Sequence, residues 1–138
     1  MNPQPRGKPI LCLDFDGVIH SYKSGWQGVG TCNDPPVPGV FEWIRRAIQY
    51  FDIHVYSSRC TEMEGRWAIR EYFRRYAEDL INVDVSDKDG PVITITDEKP
   101  RAFLQIDDRC VRFDGDWTDP QFDPAKLREF KSWYQSQK

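Results

Sequence analysis

Several features that would settle the class of this sequence at a glance are missing from it. No apolar run approaches the ~20 residues that a membrane-crossing helix requires. Positive charge is not in excess: 19 Lys and Arg stand against 22 Asp and Glu, a formal net charge of -3. That balance argues against a protein held mainly by nonspecific phosphate contacts, although it leaves room for a local basic rim. Cysteines number only 4, at Cys12, Cys32, Cys60 and Cys110; none forms a C-x-x-C pair, and only His20 and His54 are available to complete a mixed site. A zinc centre is therefore not expected, and the thiols read as reduced, with Cys12 a small core residue. Internal repeats are lacking. The only biased stretch is a polar, proline-rich leader, Met1–Pro9, with no apolar segment resembling a signal peptide. A cytoplasmic location is the resulting expectation.

What is present fits one globular domain. The 138 residues are 39% hydrophobic and 14% aromatic, enough for a core without disulfide or metal staples. The expected organisation is a flexible leader over 1–9 and a single domain over 10–138. Ile10-Leu11-Cys12-Leu13 reads as a strand buried on both faces. A long glycine- and proline-rich flap over 17–38 follows, and connections of this length are usually functional or disordered. Val40, Phe41, Ile44, Ala47, Ile48 and Phe51 recur at helical spacing behind Pro38-Gly39. Ile53–Tyr56 reads as a second strand, then a helix with Ile69, Tyr72, Phe73, Tyr76 and Leu80 on one face. Ile81–Val85 reads as a third strand, and Val92–Thr96 as a hairpin arm beyond the Asp89-Gly90-Pro91 turn. Ala102–Ile106 is a fourth strand and Val111–Phe113 a short fifth. A last helix is capped by Asp123-Pro124, with Leu127, Phe130 and Tyr134 inward.

Strands alternating with helices predict an α/β fold: a Rossmann-like three-layer α/β/α sandwich around a mostly parallel five-stranded sheet. Such sheets bind ligands beyond the carboxyl ends of their strands, and each polar cluster in this sequence falls at such an end. Asp14 and Asp16 close the first strand; Asp107 and Asp108 close the fourth. Carboxylates gathered in one place need a cation or shared protons, and magnesium suits an all-oxygen site. Ser57, closing the second strand, offers a hydroxyl to a phosphoryl oxygen, and Lys99 offers a charge. Taken singly, Ser57 is as well explained as a helix cap and Lys99 as a solvated surface lysine.

The order of these pieces resembles the haloacid dehalogenase-like hydrolase superfamily: an apolar strand then Asp14-Phe15-Asp16-Gly17-Val18, an apolar strand then Ser57, Lys99-Pro100, and an apolar strand then Asp107-Asp108. The resemblance implies that Asp14 is the nucleophile forming an aspartyl-phosphate, and that Asp16 is the general acid and then the base. It also implies that Ser57 and Lys99 hold the phosphate. Mg2+ is expected on Asp14, the backbone carbonyl of Asp16, and Asp107, with Asp108 a ligand or a partner to one. The second acid of the motif favours phosphoryl transfer over dehalogenation. The function so implied is a magnesium-dependent phosphatase acting on a phosphomonoester.

Larger members of that superfamily carry a cap domain, and neither interval here has room for one. A capless member is therefore expected, closed by its flap or by a second subunit of a homo-oligomer. Trp26 and Lys23 on the flap, and Arg59 just past Ser57, are the candidate substrate-binding residues; each also has a plain structural explanation. The substrate is left as a phosphorylated small molecule or a macromolecular phosphoester. Nucleic-acid end processing is an alternative that the acidic balance disfavours. A catalytically weak magnesium- and phosphate-binding regulatory module is another. A phospho-acceptor receiver domain fits poorly, because its acidic pair comes first and its separate acceptor Asp precedes the hydroxyl.

Overall fold

Strand β1 (Ile10–Leu13) is the centre of the molecule, and all four of its residues are buried. The computed structural model describes residues 7–81 and 93–135. Within them the sheet has four strands in the order β3-β2-β1-β4, with β2 Asp52–Tyr56, β3 Ile93–Thr96 and β4 Leu104–Ile106. Every pairing is parallel. The register places Leu11 beside Ile53 and Leu104, Leu13 beside Val55 and Ile106, and Ile53 and Val55 beside Ile93 and Ile95. Since side chains alternate across a strand, these residues form one continuous apolar face. The opposite face carries Cys12, His54, Gln105 and Thr94 in register and is far more polar.

That asymmetry sets where the helices go. Helix α1 (Val40–Ala47) follows Gly39, whose φ of 84 turns the chain out of the flap, and it buries Phe41, Ile44 and Ala47. Helix α2 (Met63–Ala77) follows a 3-10 turn at Ser58–Thr61 and buries Ala68, Ile69, Tyr72, Phe73 and Ala77. Both helices pack on that apolar face, their buried residues forming one cluster with Leu11, Leu13, Ile53, Val55 and Ile93. The Phe41 and Phe73 rings meet there edge-on with centroids 5.5 Å apart. Tyr76, expected on the inward face, is 39% exposed and lies over Phe41.

Several expectations need correcting. The sheet has four strands among the described residues, not five. Residues Val92–Thr96 were expected as a hairpin arm; Ile93–Thr96 is instead a parallel edge strand of the main sheet. Its Ile/Thr alternation reflects one apolar and one polar sheet face, a pattern equally compatible with a hairpin. The third strand expected over Ile81–Val85 lies, apart from Ile81, outside the described residues. Val111–Phe113 is not a strand: Phe113 packs with Trp117 and Phe122 in a small aromatic cluster. The last helix, α3 (Pro124–Leu127), is a single turn capped by Asp123, and only Tyr134 of its three expected inward residues is buried. The second helical layer of a sandwich is absent among the described residues, where the β3-to-β4 connection contains no helix. No helix among them is long and apolar enough to cross a membrane.

Gly65 fixes how α2 meets the flap. A Cβ there would overlap the Arg59 carbonyl oxygen, with Val29 Cγ2 at 2.9 Å. Gly65→Ala is expected to destabilise the protein by about 1–3 kcal/mol, because the overlap outweighs the better helix propensity of alanine. The urea midpoint checks this: a variant as stable as the parent would contradict so tight an approach.

Candidate active site

Parallel strands end at one rim of the sheet, and the backbone brings the first and fourth ends together. The Asp14 amide, one residue past β1, donates to the Ile106 carbonyl at the end of β4, 3.0 Å away. This bond sets Asp14 beside Asp107 and Asp108. One carboxylate oxygen from each of the three lies within 4.8 Å of the others. Asp107 is oriented locally: its oxygens accept from the Arg109 amide at 2.9 Å and from Gln105 Nε2 at 3.2 Å. Asp108 Oδ2 is buried without a hydrogen-bond partner in the structure.

The crowding shows in Asp14. Burial, a hydrogen bond with Asp108, and the nearby charge of Asp107 push its carboxyl up to about 8. A partly buried oxygen-only donor set, one oxygen unsatisfied and one acid holding its proton for want of a counter-charge, fits a hard divalent cation such as magnesium.

Asp16 belongs to a different neighbourhood. Its side chain is not in the acidic trio and is clasped from both sides instead. Oδ1 lies 2.9 Å from His20 Nδ1, and Oδ2 accepts from Arg59 Nε at 2.7 Å. His20 Nε2 in turn accepts from the Asp34 amide at 3.1 Å. The Asp34 carboxylate, 3.7 Å from the same nitrogen, is a weaker contact than that direct bond. The amide therefore sets the tautomer, with the proton on Nδ1 facing Asp16. Burial opposes charge on Asp16, but the hydrogen bonds from His20 and Arg59 and the charge of Arg59 prevail and hold it below its ordinary value. The same chain segment thus carries one acid pushed up and another pulled down.

A tight turn makes this possible. The Phe15 carbonyl accepts from the amides of Val18, Ile19 and His20, while fully buried Phe15 stacks on the His20 ring at 5.6 Å. Gly17, at φ 84, packs where a Cβ would lie 2.7 Å from Asp108 Cγ and 2.8 Å from Tyr134 Cε1. Only glycine satisfies both the turn and the approach of Asp108.

Ser57 closes β2, buried, and its Oγ accepts from the Arg59 amide at 3.2 Å as cap of the 3-10 turn. The hydroxyl proton is left to donate elsewhere. Lys99 is exposed and makes no hydrogen bond or ion pair among the described residues. Its charge reaches the Cys12 thiol, which burial and Asp14 push up and Lys99 pulls down.

The flap is a closed loop. Its legs pair through Ser21 N–H to Pro35 O at 3.0 Å and Val37 N–H to Ile19 O at 2.8 Å. Ser24 bonds Asp34 through both its amide and its hydroxyl. Lys23 is exposed near Asp34, where its charge helps to hold that carboxylate down, and Trp26 is 57% exposed. Arg59 does not face solvent: it is 0% exposed, with its guanidinium 4.8 Å from the centre of the Trp26 ring.

Sequence reasoning passed over His20, weighed only as a metal ligand, and also Trp133. Trp133 Nε1 donates to the Gly17 carbonyl at 2.6 Å, and neighbouring Tyr134 Oη accepts from Arg109 at 3.1 Å. The spacing of Asp16 and His20 across a glycine turn was the available signal for the first. No local signal marks a contact made from the far end of the chain. Comparison with known proteins finds no match: no family model, no curated protein and no solved structure.

The raised Asp14 carboxyl gives a pH signature. A folded-state value near 8, above the ordinary 3.8, means that stability present at low pH is lost as pH rises from about 4 through about 8. Metal-free protein should therefore melt lower at pH 8.5 than at pH 5, and Asp14→Asn should flatten that slope. Thermal melts across this range check it, and an unchanged slope in the variant would place the raised acid elsewhere.

Proposed function

We propose that this chain is a capless phosphatase of the haloacid dehalogenase-like type, hydrolysing a phosphomonoester through an aspartyl-phosphate on Asp14. The observation that carries the reading is the convergence of Asp14, Asp107 and Asp108 on the strand-end rim, with Asp16 held apart from them. A cation supported by the trio, magnesium by its donor chemistry, would when bound neutralise charge on the carboxylates and on phosphoryl oxygens. The remaining chemistry falls to the chain's own residues.

Asp14, whose proton passes to solvent when the trio holds its cation, attacks phosphorus through the freed carboxylate, forming an acyl-phosphate bond as the bond to the leaving oxygen breaks. Asp16 gives that oxygen a proton, then takes one from water in the second step, which releases phosphate and restores Asp14. Its resting ionised state suits the second step directly. For the first, the negative charge of an arriving phosphate raises its proton affinity, so that Asp16 takes up a proton from solvent before passing it to the leaving oxygen. Ser57 donates its free hydroxyl proton to a phosphoryl oxygen, and Lys99, without an ion pair among the described residues, swings in to offset the growing charge. The flap over 17–38 shields the rim from bulk water in place of a cap. Substrates admitted in the absence of a cap domain include phosphorylated small molecules and macromolecular phosphoesters, and a panel of both defines the class.

Asp14→Asn should reduce hydrolysis of an aryl phosphate to background while the protein stays folded. Retained turnover would sink the nucleophile assignment. Chelation of divalent cations should silence the parent protein. Asp107→Ala should shift the magnesium titration upward by about tenfold or more, the usual scale for a lost ligand or ligand support; an unmoved titration would locate the cation elsewhere.

A further inference from the structure

Arg59 is the most deeply buried charged side chain among the described residues, and its three nitrogens divide unequally. Nε bonds Asp16 Oδ2 at 2.7 Å. Nη1 bonds two flap carbonyls, Gly28 at 2.9 Å and Val29 at 2.8 Å. Nη2 is buried without a partner. Trp26 covers the guanidinium from outside. The backbone of Arg59 is pinned as well, since its amide donates to Ser57 Oγ and its carbonyl abuts Gly65. One side chain therefore holds the flap at Trp26, Gly28 and Val29 and, with its next nitrogen, the second acid of the strand-end motif.

A guanidinium taken out of water is tolerated only where its donors are matched, and removing the matching groups leaves an uncompensated buried charge. Lifting the flap would take away both carbonyls and the indole at once. Arg59 would then follow the flap into water or be left with Asp16 alone. Either way the alignment of Asp16 and the closure of the flap cannot vary independently. His20 cannot replace this coupling, because it sits at the flap's base, where its Nε2 is tied to the leg at Asp34. The unpartnered Nη2 also keeps the latch short of full satisfaction, as suits a contact that must open for substrate.

We infer that Arg59 is a positioning residue that latches the flap to Asp16, so that the acid/base is aligned only when the flap is closed. Its catalytic consequence rests on the phosphatase reading given above; the latch itself does not. Arg59→Ala should lower kcat for an aryl phosphate by about 100-fold or more, the range for loss of a working acid/base, with KM within about threefold of the parent. Added guanidinium, which refills the vacated space, should recover at least about tenfold of the loss, and ammonium should not. Arg59→Lys keeps charge and stem, serves if the alanine variant does not fold, and should be nearly as impaired because it lacks the planar fork.

A readout independent of turnover is Trp26 fluorescence, taken as the difference from Trp26→Phe; acrylamide should quench it more readily in both Arg59 variants. Wild-type quenching in a folded Arg59 variant would overturn the latch, as would an Arg59→Lys kcat within about threefold of the parent. If the parent hydrolyses no phosphomonoester while acrylamide quenches Trp26 more readily on Arg59 substitution, the phosphatase reading falls and the latch stands.

Discussion

Much of this molecule depends on one backbone hydrogen bond, from the Asp14 amide to the Ile106 carbonyl. It continues the parallel β1–β4 ladder one residue beyond the regular strand, at the point where the chain turns from apolar to acidic. A hydrogen bond of this kind contributes modestly to net stability, on the order of 1 kcal/mol. Its geometric effect is larger. It fixes the register of two strand ends that lie ninety-odd residues apart, and so obliges three carboxylates to share a small volume against their mutual repulsion. That repulsion is tolerated because the surrounding strands are held by the apolar face of the sheet, and it is what makes a cation welcome there.

The second acid of the motif is kept out of that volume by opposite means. The turn from Phe15 to His20 rotates Asp16 toward Arg59 and His20, where positive charge and a fixed imidazole tautomer hold it ionised. Two carboxylates two residues apart thereby acquire opposite proton affinities, a separation typical of sites that divide acid and base roles. Neither environment comes from the strand that supplies the acids: Arg59 belongs to the turn after β2, and His20 to the root of the flap.

How far the sequence disclosed all this differs by element. β2 and both long helices were legible because burial on one side leaves a plain apolar period. β1 was legible because burial on both faces leaves an unbroken apolar run, and β4 because Leu104 and Ile106 are apolar even though they stay exposed. The strand-end acids were legible because topology sends parallel strands to a common rim. The Ile93–Thr96 strand was misread because alternation reports which faces are buried and says nothing of the partner or its direction. The single-turn α3 was overextended because Leu127 and Phe130 sit at helical spacing yet stay exposed, so no packing rewards a longer helix. Arg59 carried only a generic prospect of touching substrate. Its burial depends on a flap whose course no local pattern encodes.

The bond from Trp133 to the Gly17 carbonyl spans 116 positions in the chain. Contacts of such separation form late, because the entropy of closing so large a loop must first be offset by the body of the sheet and helices. On the ribosome, Asp14, Asp16 and Gly17 emerge early and wait for the residues that cover them. A chain halted before Trp133 therefore presents the Gly17 turn, and the acidic rim beside it, without that cover.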